Sequence, residues 1–410
     1  MPDLDNIKVD VAQIGARMHY AVPVLFHQNN LLNHFYTDFW FPHLFLGKGL
    51  TSLLSLIPKF KSQVSVLKSR NHEGLPSEKV ISNSVLGYWY RNTLKSATSR
   101  EDETLAYLEM GNRFTQWVSQ TNKVAGTHIY GFNTASEKIF QSHKYRHSVK
   151  ILEQTLVPRI SERTILQEEF KKRKLSIPTD RLSKEYEALE KREWELADYI
   201  VCGSEFVKSE LQKNDVSPQK IHVIPYGFTQ KQEVQIQPKS PTGKLRILFA
   251  GSGGIRKGLL YAIEGLRPLS EFVELHVAGI HGLSDSLKAN DDFIVWHDLV
   301  PRPKMQDLFQ DSDVFLLPSL CEGSATVIYE ALSYGLAIVC TENSGSVITH
   351  KKEGLLVKTA NSKDITFAIQ RFLDDGDFLL NAKTQALKTA SEFTVEKYGE
   401  RLIKWAKRTN

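Results

Sequence analysis

The stretch that decides the fold is DSDVFLLPSLCEGSATVIYEALSYGLAIVCTENSG, residues 311–345. It begins as a buried β-strand pattern, continues through Glu322 and Gly323, and opens a helix at about Ser324. A second apolar run, residues 335–341, follows the helix. A strand, a helix and another strand in this order predict a right-handed crossover within a parallel sheet.

The helix in this stretch has one apolar face and one small, polar face. Thr326 and Glu330 lie on the polar face, and Glu322 stands just before the helix. The backbone N–H groups at the helix start have no intrahelical acceptor and would face an anion: those of Gly323, Ser324 and Ala325. Glu322 and Glu330 are roughly 11 to 12 Å apart along the axis, which suits hydroxyl groups on either side of a diphosphate. An ordinary strand–turn–helix with surface glutamates is the alternative.

The alternation of strand and helix patterns extends over the whole chain. Apolar β-like runs in the first half are residues 7–15, 125–133, 149–155, 198–204 and 220–227, with helical patterns at 101–122, 158–173 and 183–197. After the polar, Pro-containing stretch 228–244, strand patterns return at residues 245–251, 273–279, 312–319 and 335–341. This order predicts an α/β fold of two doubly wound, Rossmann-like units that face each other across a cleft. We place the first domain at 1–235 and the second at 236–392.

A glycine-rich turn opens the second domain in ILFAGSGGIRKGLL, residues 247–260. Glycine allows a backbone to approach a ligand closely, and the adjacent Arg256 and Lys257 can neutralise a diphosphate. The turn residues that we expect to bind it are Gly251, Ser252, Gly253 and Gly254. The stretch matches neither the P-loop nor the dinucleotide-binding glycine pattern, which argues against an NTPase or a dehydrogenase.

Composition excludes several other classes of protein. The chain has 410 residues, 41% hydrophobic and 24% charged, which is typical of globular domains. Its three cysteines, Cys202, Cys321 and Cys340, are too widely spaced for a zinc site or a disulfide framework. The polar N-terminal residues do not resemble a secretory signal, and no run is long and apolar enough for a membrane span. We therefore expect a cytoplasmic protein.

The excess of positive over negative charge lies in the first part of the chain. All of the formal net charge of +5 arises within residues 1–230. Together with the aromatic run at residues 34–60, this suggests peripheral contact with the inner face of a membrane. The alternative is a solvated surface and a capping helix. No nucleic-acid recognition motif accompanies the charge, so we expect no nucleic-acid partner.

The pair Glu322 and Glu330, with seven residues between them, resembles the E-x7-E motif of retaining glycosyltransferases of the GT-B fold. The stretch 318–345 is similar to the donor-site segment of glycosyltransferase family 4. FAGSGGIRKG, YIVCGSEFVKSEL, IHVIPYGF and the tail FTVEKYGERLIKWAKR also resemble that family in order and spacing. The similarity is strongest over residues 245–357.

The resemblance implies a sugar transfer from a nucleotide-diphosphate sugar to a hydroxyl acceptor, with retention at the anomeric carbon and without a metal or other cofactor. Glu322 would hold sugar hydroxyls and Glu330 the ribose. Arg256 and Lys257 would stabilise the departing diphosphate. The tail, residues 393–410, would form a helix that crosses back to the first domain, and the loop 298–305 would contact the base.

The chain departs from the family in two places. Ser252 stands where many members have an arginine, and Arg256 is our candidate to compensate. A histidine near the reacting sugar is absent from the strand that looks equivalent, which offers Glu153 and Gln154 as catalytic candidates. The buried strand pattern before it contains His128, which we interpret mainly as a core residue. At the first glycine turn, Gly15 and Arg17 are expected to approach the donor phosphates.

Two rival functions stay open at this point. One is a sugar-nucleotide epimerase or hydrolase on the same scaffold, and the other is a non-catalytic member that binds a donor or a partner protein. Asp311 and Asp313 match an Asp-x-Asp metal motif, but their place beside a buried strand favours a structural role. The basic clusters 143–147 and 171–174 could bind an anionic acceptor or form solvated surface.

Overall fold

Two parallel sheets contain every strand of the described residues. The structure is a computed structural model that describes residues 7–43, 67–229, 243–252, 254–279 and 291–409. The first sheet has the order β3-β2-β1-β4-β5-β6-β7 and the second has the order β10-β9-β8-β11-β12-β13. Every pair of neighbouring strands is parallel, for which the connecting helices provide the crossovers.

The strands of the first sheet are β1 (Val9–Gln13), β2 (Leu32–Thr37), β3 (Val80–Ser82), β4 (His128–Phe132), β5 (Val149–Gln154), β6 (Tyr199–Cys202) and β7 (Ile221–Val223). Those of the second are β8 (Leu245–Ala250), β9 (Val273–Ala278), β10 (Ile294–His297), β11 (Val314–Leu317), β12 (Ala337–Cys340) and β13 (Gly354–Leu356). The central strands are apolar and buried on both faces, as helices on both sides of a parallel sheet require.

The α-helices connect these strands and cover both faces of each sheet. In the first domain they are α1 (Ala21–Gln28), α2 (Ser84–Ser96), α3 (Arg100–Gln120), α4 (Glu137–Gln141), α5 (Arg159–Lys172), α6 (Ser183–Leu196) and α7 (Glu205–Lys213). After β8 come α8 (Leu259–Leu266), α9 (Arg302–Gln310), α10 (Thr326–Ser333), α11 (Ser362–Asp374), α12 (Gly376–Glu392) and α13 (Val395–Ala406). Among the described helices, none combines the length and the apolar character that crossing a bilayer requires.

The predicted architecture of two Rossmann-like units across a cleft is confirmed. All nine predicted strands are present, and the structure adds β2, β3, β10 and β13, whose short or mixed sequences gave no clear period. The change of sheet falls between Val223 and Leu245. The predicted boundary at residue 235 lies outside the described residues.

The aromatic run at residues 34–60 is core where the structure describes it. Phe35 and Tyr36 belong to β2, and both are fully buried, as is Trp40. The described part is therefore a strand and a turn, and these rings are too deeply packed to face a membrane. Residues 44–60 lie outside the described residues.

The last helix returns to the first domain. Tyr398, Leu402 and Ile403 of α13 lie in the same hydrophobic core as strand β1 and helix α1. Where the chain crosses, Phe228 N donates to Phe393 O at 2.9 Å. Two chain segments that pass side by side between the domains therefore join them, and they are the natural place for a hinge.

Candidate functional site

A cleft of about 810 Å³ lies between the two domains, at the carboxyl ends of both sheets. The first domain contributes the segment after β1 and the end of β5. The second contributes the turn after β8, the segment before α9, and the start of α10. Ligands of doubly wound sheets bind at this edge, so the cleft is the candidate site.

Glu322 is held by two cations at the floor of this cleft. Its side chain is 8% exposed, and its Oε1 lies 2.8 Å from Lys257 Nζ and 2.9 Å from Arg256 Nη1. Burial acts to raise the pKa of Glu322, but Lys257 and Arg256 together bring that pKa below its ordinary value. The carboxylate is therefore ionised at neutral pH and can only accept hydrogen bonds.

The two cations occupy different places. Lys257 lines the cleft, whereas Arg256 lines a separate pocket of about 340 Å³ behind it and donates to Cys321 O at 3.0 Å. The next residue, Gly258, has φ +76°, and a Cβ there would lie 1.9 Å from Pro318 O. The loop that follows β8 and the loop that follows β11 are therefore in close contact. Lys257 is the cation placed to meet a ligand, and Arg256 is placed to hold Glu322 in position.

The helix after Glu322 begins later than the sequence predicts. Its first residue is Thr326, and Ala325 N donates to Ser344 O at 3.1 Å. The Ala325 amide is thus already paired and does not face an anion as predicted. By helix geometry the N–H groups of Thr326 and Val327, both of which line the cleft, are the ones left without an intrahelical acceptor.

Glu330 lines the cleft one helical turn further along α10 than Thr326. Burial raises the pKa of Glu330, and the charge of Arg302 offsets part of that rise. Within the described residues no hydrogen-bond partner contacts its carboxylate, so its oxygens remain available as acceptors. Glu322 and Glu330 therefore both belong to the cleft, as the sequence predicts.

Glu153 and Gln154, the two candidates at the end of β5, point to opposite sides of the sheet. Glu153 lines the cleft and accepts hydrogen bonds from Tyr130 Oη at 2.6 Å and Tyr226 Oη at 2.8 Å. Burial raises the pKa of Glu153, and the two tyrosine hydroxyls offset part of that rise. Of the pair, Glu153 is the one placed to act on a ligand.

Gln154 belongs to a buried network away from the cleft. Its Nε2 donates to Glu190 Oε1 at 2.9 Å, and its Oε1 accepts from Trp194 Nε1 at 2.9 Å. The side chain is fully buried and saturated with partners. The prediction of a catalytic role is therefore corrected to a structural one, because successive residues of a strand face opposite sides.

The first-domain side of the cleft is a strained segment. Gly15 N donates to Asp38 Oδ1 at 2.8 Å, and the cleft wall itself runs from Ala16 to His19. Met18, His19 and Tyr20 have φ of 45°, 51° and 65°. Three consecutive left-handed residues without a glycine cost roughly 1 to 3 kcal/mol each, and such strain is concentrated at functional sites. No pattern in the sequence predicts this run of left-handed residues.

Arg17 lies on the first-domain side of the cleft. It lines the cleft, and its Nη1 donates to Thr155 Oγ1 at 3.0 Å. Gly15 itself supports the turn and does not form part of the cleft wall. The approach of this segment to the donor phosphates stays a prediction.

The remaining glycine-turn residues divide between the two pockets. Gly251 lines the cleft, and Gly254 lines the pocket behind Arg256. Ser252 belongs to neither wall, and Gly253 lies outside the described residues. Gly251 is therefore the turn residue that the structure brings to the candidate site.

Two other candidates are structural. His128 is buried between Thr127 Oγ1 and Thr409 O. Asp313 accepts from Arg246 N and pairs with Lys383 at 3.0 Å.

The basic cluster 171–174 lies at the domain interface. Arg173 Nη1 contacts Glu264 Oε1 at 2.7 Å, and Lys172 Nζ contacts Tyr261 Oη at 3.0 Å. These contacts join α5 to α8. Lys172 and Arg173 therefore serve the contact between the domains, whereas Lys171 and Lys174 are exposed.

The second domain matches a known family. Residues 244–375 match the model described as glycosyl transferases group 1. Over 110 residues the chain is 34% identical to the N,N'-diacetylbacillosaminyl-diphospho-undecaprenol alpha-1,3-N-acetylgalactosaminyltransferase of Campylobacter jejuni, covering 26% of this chain and 29% of that protein. Over 205 residues it is 26% identical to the putative colanic acid biosynthesis glycosyltransferase WcaL of Escherichia coli, covering 46% of this chain and 50% of that protein. The chain thus spans half or less of the length of these two relatives.

Solved structures match over nearly the whole chain. HepE of Anabaena, in complex with UDP and glucose, aligns with a TM-score of 0.59 and 12% identity, covering 98% of this chain and 99% of that one. WaaG, a glycosyltransferase involved in lipopolysaccharide biosynthesis, aligns with a TM-score of 0.58 and 15% identity, covering 97% and 99%. The chain has the GT-B fold, and the family match of its second domain together with these relatives supports a glycosyltransferase.

The substitution Gly323→Ala tests whether the cleft depends on close contact between the domains. A Cβ at this position would lie 2.0 Å from Thr155 O of the first domain. Overpacking of this kind typically costs about 1 to 3 kcal/mol, which separation of the domains would relieve. We expect a larger radius of gyration in X-ray scattering. Gly376→Ala, which meets no atom within 4 Å, is the control and should leave the radius unchanged.

Proposed function

We propose that this protein is a retaining glycosyltransferase of family 4, which moves a sugar from a nucleotide-diphosphate sugar to a hydroxyl acceptor. The observation that carries the proposal is the ionised Glu322, held by Lys257 and Arg256 beside the open start of α10. The carboxylate can accept hydrogen bonds from the sugar hydroxyls of a sugar diphosphate. The cation and the free N–H groups of α10 can bind its phosphates.

The proposed mechanism needs little from the protein beyond charge and position. The bond from the anomeric carbon to the diphosphate oxygen breaks, and the electron pair leaves with the diphosphate. Lys257 and the Thr326 and Val327 amides stabilise the charge that develops on it. The acceptor oxygen attacks from the same face, and its proton passes to the leaving phosphate oxygen. Retention follows from attack on the face that the leaving group vacates.

Glu153 has a different part in this proposal. It lies on the first-domain wall, opposite the donor residues, where the positive charge of the reacting sugar would develop. An ionised carboxylate there lowers the energy of that charge without forming a bond. Glu153 thus takes the place of the family's usual histidine, which this strand lacks.

The relatives suggest the class of substrate. HepE is solved with UDP and glucose, so a UDP-sugar is the first donor to test. The C. jejuni relative is named for transfer to a diphospho-undecaprenol saccharide, and WcaL for colanic acid biosynthesis. We therefore propose a bacterial-type glycan precursor, in solution or linked to a lipid, as the acceptor. The first domain would bind it.

A donor panel tests the proposal directly. We expect one of the UDP-, GDP- or ADP-sugars to release its nucleotide diphosphate, and the glycosidic linkage of the product, assigned by NMR, to retain the donor configuration. Glu322→Gln removes the charge but not the shape, and kcat/KM should fall about 100-fold. No donor binding and no release, with or without acceptors, would contradict the proposal. A rearranged free sugar nucleotide would favour an epimerase, and tight binding without turnover would favour a non-catalytic member.

Glu153→Gln should lower kcat about tenfold with little change in KM, because the amide keeps its size and loses the charge. Because burial raises the pKa of Glu153, lowering the pH should reduce the wild-type rate already above the usual carboxyl range. The pH–rate profile of Glu153→Gln should not show this decrease.

Gln154→Ala is the matched comparison for Glu153→Gln. It leaves the buried Trp194 Nε1 without a partner and removes one of the hydrogen bonds to Glu190, which should cost about 1 to 3 kcal/mol of unfolding free energy. Its kcat should stay near that of the wild type. An equal loss of kcat in both variants would show that β5 acts only through stability.

Chelation should leave the rate unchanged if the proposed charge arrangement is sufficient. Lys257 and the free amides of α10 would supply the positive charge that a divalent cation supplies elsewhere. The measurement is the rate of nucleotide release with EDTA and after adding back Mg²⁺ or Mn²⁺. A loss that either ion restores would contradict this part of the proposal.

A further inference from the structure

Arg17 is a cation of the cleft wall with no carboxylate within ion-pair distance in the part of the chain that the structure describes. The residue is exposed, and two contacts hold its guanidinium group. The group lies over the Phe132 ring, 5.7 Å from the ring centroid, and its Nη1 donates to Thr155 Oγ1 at 3.0 Å. A long side chain loses rotamer freedom when it is held in this way, so these contacts restrict where the cation points.

Thr155 can accept this hydrogen bond only when its own hydroxyl hydrogen points elsewhere. Its Oγ1 donates to Asn133 Oδ1 at 2.9 Å, and its backbone N donates to the same oxygen at 3.3 Å. A threonine hydroxyl has one hydrogen and two lone pairs. With the hydrogen directed at Asn133, the lone pairs remain for Arg17, which can only donate.

Glu190 determines which way the amide of Asn133 faces. Asn133 is 4% exposed, and its Nδ2 donates to Glu190 Oε1 at 3.4 Å. Gln154 Nε2 and the backbone N of Arg159 donate to the same carboxyl group at 2.9 and 2.7 Å. Three N–H donors converge on Glu190, so Asn133 presents its nitrogen to Glu190 and its oxygen to Thr155.

These contacts lie beside the loop that carries Glu322. A Cβ on the next residue, Gly323, would lie 2.0 Å from Thr155 O, so the backbone of the second domain packs directly against the residue that holds Arg17. Arg17 also acts on Glu153. Burial raises the pKa of Glu153, and the charge of Arg17 is one of the effects that offset this rise. The position of Arg17 is therefore set relative to both carboxylates of the proposed site.

We propose that Asn133, oriented by Glu190, is a positioning residue that fixes Arg17 in the cleft through the Thr155 hydroxyl group. This inference rests on the proposed function, since the positioned cation serves the transfer reaction. Neither Asn133 nor Glu190 lines the cleft. Both therefore act on a substrate only through Thr155 and Arg17, and their effect on the rate requires the Arg17 side chain.

Steady-state kinetics in two backgrounds test this dependence, with the donor that the wild type uses. Thr155→Val keeps the shape and removes the hydroxyl, so kcat/KM should fall about tenfold, whereas Thr155→Ser should stay within about threefold of the wild type. Asn133→Ala should lower kcat/KM about fivefold, because the Thr155 hydrogen is then free to turn toward Arg17. In an Arg17→Gln background, Thr155→Val and Asn133→Ala should each change kcat/KM less than about twofold.

Thr164→Val is the matched control. Thr164 is exposed on α5, does not line the cleft, and donates from Oγ1 to Ile160 O of its own helix at 2.9 Å. Its loss of a hydroxyl should change kcat/KM less than about twofold. Thermal unfolding of each variant checks that its fold is intact, and the Thr155 variants alone decide the test if Asn133→Ala does not fold.

Three results would overturn the inference while leaving the proposed function intact. The first is a loss on Thr155→Val that is equally large with and without the Arg17 side chain, as a merely structural hydroxyl would give. The second is wild-type kcat/KM for Thr155→Val, and the third is wild-type kcat/KM for Arg17→Gln. If the wild type transfers sugar from none of the donors, the inference falls together with the proposed function.

Discussion

The ion pairs of Glu322 with Lys257 and Arg256 are the constraint on which the site depends. They join the turn after β8 to the turn after β11, two loops that a parallel sheet places side by side. A buried carboxylate without such partners would be costly and would gain a proton. With them it stays ionised, and its loop is fixed beside the start of α10.

The second constraint is the contact between the domains. Ser204 Oγ donates to Gly323 O, and Arg173 pairs with Glu264 on the other domain. The residues that line the cleft therefore sit close to residues that hold the domains together. A change in the angle between the domains would therefore change the distance between Glu153 and Glu322, which line the cleft from opposite domains.

The first domain contributes a strained backbone segment to the cleft, whereas the second contributes the ion pairs of Glu322. The left-handed run from Met18 to Tyr20 persists because Arg70 and Asp38 support it from outside the cleft. Strain that neighbouring contacts maintain keeps a segment in one conformation before the ligand arrives. The family model matches residues 244–375, in the second domain, and does not extend to the first domain, to which our proposal assigns acceptor recognition.

The sequence by itself determined the two parallel sheets, the cleft between them, and the placing of Glu322, Glu330 and Lys257. Strand periods, helix starts and glycine turns are local, so adjacent residues suffice to reveal them. Only the tertiary structure decided that Arg256 stands behind Glu322 and that Gln154 faces away from the cleft. It also brought Arg17 to Thr155, 138 positions away. Such pairings arise from the packing of whole domains, which no short pattern encodes.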